Sequence, residues 1–333
     1  MVKSILITGV CGLVGANFAD WVIENHPEYT VVGIDNLFGG YLDNLNPKVE
    51  FYQQELATVD LNPIFEKYQF DYVFHFAAYA AEGLSPFMRR FNYSNNILST
   101  VNIINACINF DVKRLVYTSS MSVYGHGHKD GTRFDENDQP CPIDPYGISK
   151  YACEMDIRVA NEQHGLDYCI IRPHNIIGPK QNIWDKYRNV IGIWMNHILH
   201  NRPITVYGDG EQTRAFSFIE DNMLPFWRAA VDPAASKQII NVGGIVPTTI
   251  NDCAKTLCEI TGAKEIVHLE ARHEVKYAVP TYQKSIDLLG YKQDTLLYEG
   301  MERMWEWAKT QPDRGQYKWP SYEIEKGIYS YWK

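Results

Sequence analysis

The 333-residue sequence has no apolar run long enough to span a bilayer: the longest, Tyr72 to Ala81, is short and is interrupted by His75. Positive charge is also in short supply. Against 40 acidic residues stand 31 basic ones, a formal charge of -9, with no basic stripe that would neutralise nucleic-acid phosphates. The seven cysteines, at 11, 107, 141, 153, 169, 253 and 258, form neither a CxxC pair nor a disulfide framework, which disfavours structural zinc and a stapled secreted fold. His75 has no histidine or carboxylate partner at metal spacing, so it reads as a hydrogen-bonded core residue and no metal is expected. Internal repeats and low-complexity tracts are missing as well, which excludes solenoids. Met1-Val2-Lys3 leads directly into the strand-like Ser4-Ile5-Leu6-Ile7. A soluble, cytoplasmic chain with reduced cysteines is therefore expected, partnered by neither membrane nor nucleic acid.

What is present is an ordinary globular composition, 45% hydrophobic and 21% charged. The length exceeds the roughly 250 to 300 residues at which single cores stop growing, so two sub-domains are expected. Short apolar runs at Ser4–Ile7, Val31–Ile34, Tyr72–Phe76, Leu115–Thr118 and Tyr168–Ile171 alternate with helical patterns. Strands that are apolar throughout and separated by helices imply an α/β fold with a doubly wound parallel sheet covered on both faces. Past Arg172-Pro173 the alternation fades, Gln238–Val242 excepted, and a smaller, mostly helical C-terminal lobe is expected. The division is residues 1–173 plus about 215–245 against about 174–214 plus 246–333. Residues 94–110 carry an apolar stripe wider than one packing seam requires, which suggests a second subunit against it. The aromatic-rich tail from Met301 should pack back onto the body.

Ligand chemistry gathers at strand ends. Thr8-Gly9-Val10-Cys11-Gly12-Leu13-Val14-Gly15 follows the first strand and opens a helix, a place where absent side chains let backbone approach a pyrophosphate. The same glycines could serve packing alone. Asp35 ends the second strand, at the distance where an acid binds an adenosine ribose, and it would repel a 2'-phosphate; NAD is favoured over NADP. Tyr146-Gly147-Ile148-Ser149-Lys150 places a phenol and an ammonium four residues apart on one helix face. Tyrosine titrates near 10, so a base working at neutrality needs its ionisation eased by about three units, roughly 4 kcal/mol, which a close lysine and a cofactor charge could supply. Ser120, in Ser119-Ser120-Met121-Ser122-Val123-Tyr124-Gly125, offers a hydroxyl beside them. Asp221 reads as an N-cap for the helix after it.

Together TGxxGxxG, the acid after the second strand, HFAA at His75 to Ala78, SSxxVYG, YGxSK and Arg172-Pro173-His174-Asn175 resemble the extended short-chain dehydrogenase/reductases that modify nucleotide sugars, nearest in look to the NDP-sugar 4-epimerases. The resemblance covers nearly the whole chain and includes Gly208 to Arg214 and Asp287 to Tyr291. It implies a Rossmann-like fold, NAD and a homodimer. It further implies catalysis by Ser120, Tyr146 and Lys150, and contacts to NAD from Gly9, Gly12, Leu13, Val14, Gly15, Asp35, Asn36, Glu55, Leu56, Phe76, Ala77, Ala78, Asn95, Thr118, Tyr146, Lys150 and Pro173. The nucleotide sugar would meet Ser120, Met121, Ser122, Tyr146, His174, Asn175, Val206, Arg214 and Arg272, with Asn175 and Arg214 at the diphosphate; Glu82, which like Arg90 has no clear family counterpart, is a further candidate for reading the sugar, with a helix cap as its alternative. A surface ion pair is the alternative for Arg272, and a structural hydrogen bond the alternative for His174. Where the family's dehydratases follow the serine with an Asp-Glu pair, this chain has Met121-Ser122, and a thioether cannot shuttle protons. That argues against dehydration, which stays as a lesser alternative, and with no cysteine–lysine pair recognisable for chemistry at C3 or C5 it favours epimerisation at C4 of a nucleotide sugar, UDP-linked by resemblance. A net 4-dehydrogenase or 4-keto reductase uses the same three residues, and a silent dinucleotide sensor would not need them.

Overall fold

The computed structural model describes residues 3–332 apart from 127, 129–131, 273 and 276. Its centre is a sheet of seven parallel strands: β1 (Lys3–Thr8), β2 (Tyr29–Asp35), β3 (Glu50–Gln53), β4 (Tyr72–His75), β5 (Arg114–Thr118), β6 (Tyr168–Pro173) and β7 (Gln238–Val242). Their order is β7-β6-β5-β4-β1-β2-β3. Successive side chains point to opposite faces, and both faces are covered. Ile5 and Ile7 join Phe18, Phe74 and Val116 on one side, while Leu6 joins Val32, Val73 and Leu115 on the other. Because β1 pairs with β2 on one edge and β4 on the other, the winding reverses at Thr8, opening a crevice at the carboxyl ends of these strands.

Helix α1 (Leu13–Asn25) starts at Gly12 with no side chain capping its first N–H groups. Helix α2 (Ser99–Asn109) continues a run of helix that begins at Arg89 and passes through a π-helical stretch at Ser94–Leu98, where Asn95 reaches the crevice. Helix α3 (Pro145–His164) is well specified by sequence. The Asp144 carboxylate accepts the Gly147 N–H at 2.9 Å, Pro145 takes the first helical position, and Gly165 ends it at φ 77. Among the described residues no helix is long and apolar enough to cross a membrane.

After residue 173 and outside the central sheet the chain is mostly helical, as expected, with short strands added to the helices. Ile204–Tyr207 pairs with Ile266–Leu269, and Thr213–Ala215 lies between Pro247–Thr249 and Tyr277–Ala278, so helices share this lobe with short strands. Strands of two to four residues are too brief to show a periodicity. Asp221 does not cap a helix: its carboxylate accepts the N–H and hydroxyl of Thr295, while Asn222 stands at the helix start. The tail does return to the body, with Trp332 and Ile328 buried against Tyr79, Leu84 and Phe87.

His75 bridges β1 and α2, with Nδ1 2.7 Å from the Thr8 hydroxyl and Nε2 3.0 Å from that of Thr100. Burial lowers its pKa to about 3, with the Lys150 charge adding to the effect. Since the unfolded chain protonates this ring near 6.5 and the folded chain does not, its contribution is complete above that pH. It is lost as pH falls toward 3, by about 1.4 kcal/mol per unit. Urea midpoints should therefore decline between about pH 6.5 and 4, and His75→Gln should flatten the decline; an equal slope in both proteins would contradict this.

Candidate active site

One continuous cleft of about 450 Å³ runs over the carboxyl ends of the sheet. At one end the turn after β1 lies against its neighbours with no room to spare. Gly9 has φ +69, and a Cβ there would stand 2.9 Å from the Ala77 backbone; a Cβ on Gly15 would stand 2.2 Å from the Gly9 carbonyl oxygen. The Gly12 N–H is donated to the Gly9 carbonyl at 3.1 Å, and the uncapped start of α1 presents the N–H groups of Leu13 and Val14 to the cleft, which suits a pyrophosphate in shape and field. Asp35 closes this end. Its carboxylate accepts the N–H of Cys11 at 3.0 Å and of Leu37 at 2.7 Å, which fixes it while leaving lone pairs for a ribose. Burial raises its pKa and those two N–H bonds oppose the rise. Asn36 donates to Glu55 at 2.8 Å, and both line the cleft with Leu56. Phe76, Ala77, Ala78, Asn95, Thr118 and Pro173 line its middle, so every residue expected to meet the dinucleotide faces this one cavity.

Gly15→Ala should lower dinucleotide affinity by about a hundredfold, since either the turn or the helix must move by more than an ångström. Coenzyme content of the purified variant reads this directly; a full complement would contradict it.

Tyr146 and Lys150 project from the same face of α3, both buried. Lys150 donates from Nζ to the Thr118 carbonyl at 2.7 Å and lies 5.9 Å from the centre of the Tyr146 ring. Burial pushes the Tyr146 phenol up, the Glu82 charge adds to this, and a hydrogen bond with Ser120 opposes it. Burial also brings Lys150 down to about 8. The expected easing of Tyr146 by Lys150 is not realised by the protein alone, since the phenol stays above its ordinary value. The Ser120 loop is held from below. Arg172 forks onto Glu154, with Nε to Oε1 at 2.9 Å and NH2 to Oε2 at 2.6 Å, and the same carboxylate accepts the Ser119 hydroxyl.

The other end of the cleft is lined by Glu82, Asn175, Arg214 and Arg272. Arg214 and Arg272 share the Glu274 carboxylate, at 3.0 and 3.3 Å, and Arg272 lies over the Tyr207 ring at 4.6 Å. Arg272 is therefore a cleft residue and not a surface ion pair. Four expected sugar contacts are misplaced. Met121 is buried with Val123, Tyr124 and Phe134, and Ser122, also buried, donates its N–H to Ser120. Both sit in the turn that leaves the cleft. His174 is buried, with Nδ1 3.2 Å from the Tyr282 hydroxyl; burial holds it neutral, at about 3. Val206 belongs to the core, and strand alternation gives the cleft its neighbours Thr205 and Tyr207 instead. Sequence reasoning also missed Asp144, Arg188 and Glu274. Asp144 was legible only as a helix cap, and Arg188 and Glu274 sit in irregular segments that carry no periodic signal.

A family model described as the NAD dependent epimerase/dehydratase family matches residues 5–243. The chain belongs to this family. It is 28% identical to the UDP-glucose 4-epimerase of Mycolicibacterium smegmatis, over 91% of this chain and 98% of that one. It also resembles the UDP-glucose 4-epimerase of Thermotoga maritima solved with UDP-glucose, at 31% identity and a TM-score of 0.85, covering 92% of this chain and 99% of the other. A UDP-glucuronic acid 4-epimerase from Bacillus cereus, solved with UDP-glucuronic acid and NAD, gives 26% identity and a TM-score of 0.85 over the same shares. For an NAD dependent epimerase/dehydratase the residues present fit the coenzyme: a turn that no Cβ could enter, an uncapped helix start and a fixed acid at the end of β2. Among the described residues no cluster of three or more His, Cys, Asp or Glu could hold a metal ion.

Proposed function

We propose that the protein inverts C4 of a UDP-linked sugar, with Ser120, Tyr146 and Lys150 as its catalytic residues. The observation that carries this is their meeting in the one cleft that joins the Gly9–Gly15 turn and Asp35 to Asn175 and Arg214. When bound, NAD supplies a hydride acceptor that can return what it takes, so no external reductant is consumed. Tyr146 takes the proton from the sugar 4-hydroxyl and later gives it back, Ser120 hydrogen-bonds the same oxygen, and Lys150 lies where a nicotinamide ribose would be held. Asn175 and the planar fork of Arg214 hold the diphosphate as a pivot, so that either face of the sugar can be presented.

Met121 and Ser122 point away from the cleft, which supports epimerisation over dehydration: neither can act as an elimination acid or base. Residues 1–173 with about 215–245 would carry the coenzyme, and about 174–214 with 246–333 the nucleotide sugar. Leu98 beside α2, with Ile148, Met155 and Val159 on α3, is exposed, which fits a homodimer formed through these helices. Mixing the purified protein with a panel of UDP-sugars, without added coenzyme, tests the reaction. Interconversion of a C4 pair is expected; conversion that needs added NAD and forms NADH in proportion to sugar would point instead to a net 4-dehydrogenase.

A further inference from the structure

Five carboxylates line the cleft, and four of them are engaged. Asp35 accepts two backbone N–H groups, Glu55 accepts Asn36 and the Ala57 N–H, Asp144 accepts the Gly147 N–H, and Glu274 takes Arg214, Arg272 and Gln212. Glu82 has no side-chain hydrogen bond or ion pair among the described residues, and its side chain is open to the cleft. It sits just after the Tyr79–Ala81 segment, beside Gly83, which packs against Trp332 of the tail at a spacing of 3.4 Å for an added Cβ. Its charge acts on the Tyr146 phenol, and both side chains line the same cleft.

We propose that Glu82 selects the sugar by charge, accepting hydrogen bonds from the hydroxyls of a neutral hexose and excluding a hexuronate carboxylate. This rests on the 4-epimerase reading and names its substrate class. The fold does not make this choice, since solved neighbours of equal likeness hold UDP-glucose and UDP-glucuronic acid. The charges around the site make it. A uronate entering here would meet Glu82 and Asp144, while of the arginines lining the cleft Arg214 is committed to the diphosphate, Arg272 pairs with Glu274 and Arg188 with Asp185. An anion without a free cation partner is disfavoured in a desolvated pocket, whereas a hydroxyl gives an unengaged carboxylate the donor it lacks. Desolvation by the walls of the cleft, then Asp144 and Glu274, raise the Glu82 carboxyl to about 7 against the pull of Arg214 and Arg272, so discrimination belongs to the alkaline side of neutrality.

The test compares UDP-glucose, UDP-galactose and UDP-glucuronic acid on NAD-loaded wild type and Glu82→Gln at about pH 8, by kcat/KM and by calorimetric affinity. Wild type should favour the neutral sugars by about a hundredfold or more, and Glu82→Gln should cut that ratio at least about tenfold, chiefly through KM and affinity. Coenzyme content and unfolding midpoint check that the variant is folded; affinity ratios for the intact wild type stand independently of the variant. Equal or better use of UDP-glucuronic acid by wild type, or an unchanged ratio in Glu82→Gln, would overturn the proposal alone. Failure of wild type to bind or convert any of the three would overturn the epimerase reading and the proposal with it.

Discussion

Tyr146→Phe should keep NAD and nucleotide sugar bound and lose about a thousandfold or more in kcat. The substitution removes one oxygen from a buried ring whose packing is otherwise unchanged, so the effect isolates proton transfer from architecture. Burial, Glu82 and Asp144 push this phenol up, against the Ser120 hydrogen bond and Arg188. Ionisation must therefore be favoured by what enters the cleft. Single-turnover assays, with coenzyme content measured in parallel, separate binding from chemistry. Wild-type turnover by the phenylalanine variant would remove Tyr146 from the mechanism.

Arg172→Met should destabilise the fold by about 3 to 5 kcal/mol, because it strands the Glu154 charge in the core. Both side chains are almost wholly inaccessible, at 2% for Arg172 and 1% for Glu154. The guanidinium also donates to the Tyr124 hydroxyl at 2.6 Å, and Tyr124 continues to Asn241 of β7 at 3.0 Å. One arginine thus ties β6 to α3, to the turn after Ser120 and to the sheet edge. Activity should fall with stability, since Ser119 loses the anchored carboxylate that positions the loop beside Ser120. Adding Glu154→Leu should recover much of the urea midpoint without recovering full activity. No loss in the single variant would show that the pair is not what holds this loop.

The sheet was legible because each of its strands, once buried on both faces, must be apolar throughout, and because glycine and proline punctuate the chain between them. The coenzyme half of the cleft was legible for a related reason. Gly9, Gly12, Gly15 and Asp35 act through backbone shape and strand position, which a linear pattern records. The sugar half was harder to read. Val206 and Tyr207 are adjacent, yet strand alternation gives one to the core and the other to the cleft, and no local signal in so short a strand fixes the phase. His174 lies next to Asn175, but Tyr282, more than a hundred residues away, engages it instead of a ligand. Glu274 and Arg188 reach the cleft from irregular segments through pairing with distant or irregularly placed charges, and such partnerships have no sequence period. Glu82 was visible as an acid after HFAA, but its isolation emerges only when the partners of the other four cleft carboxylates are known.

The most direct measurement follows the hydrogen on C4. Incubating the purified protein with a UDP-hexose deuterated at C4, without added coenzyme, should yield the C4-inverted sugar with the deuterium still on C4 and no accumulation of NADH. Washout of the label into solvent, or conversion that proceeds only with added NAD and forms reduced coenzyme in proportion, would contradict inversion by reversible oxidation at that carbon.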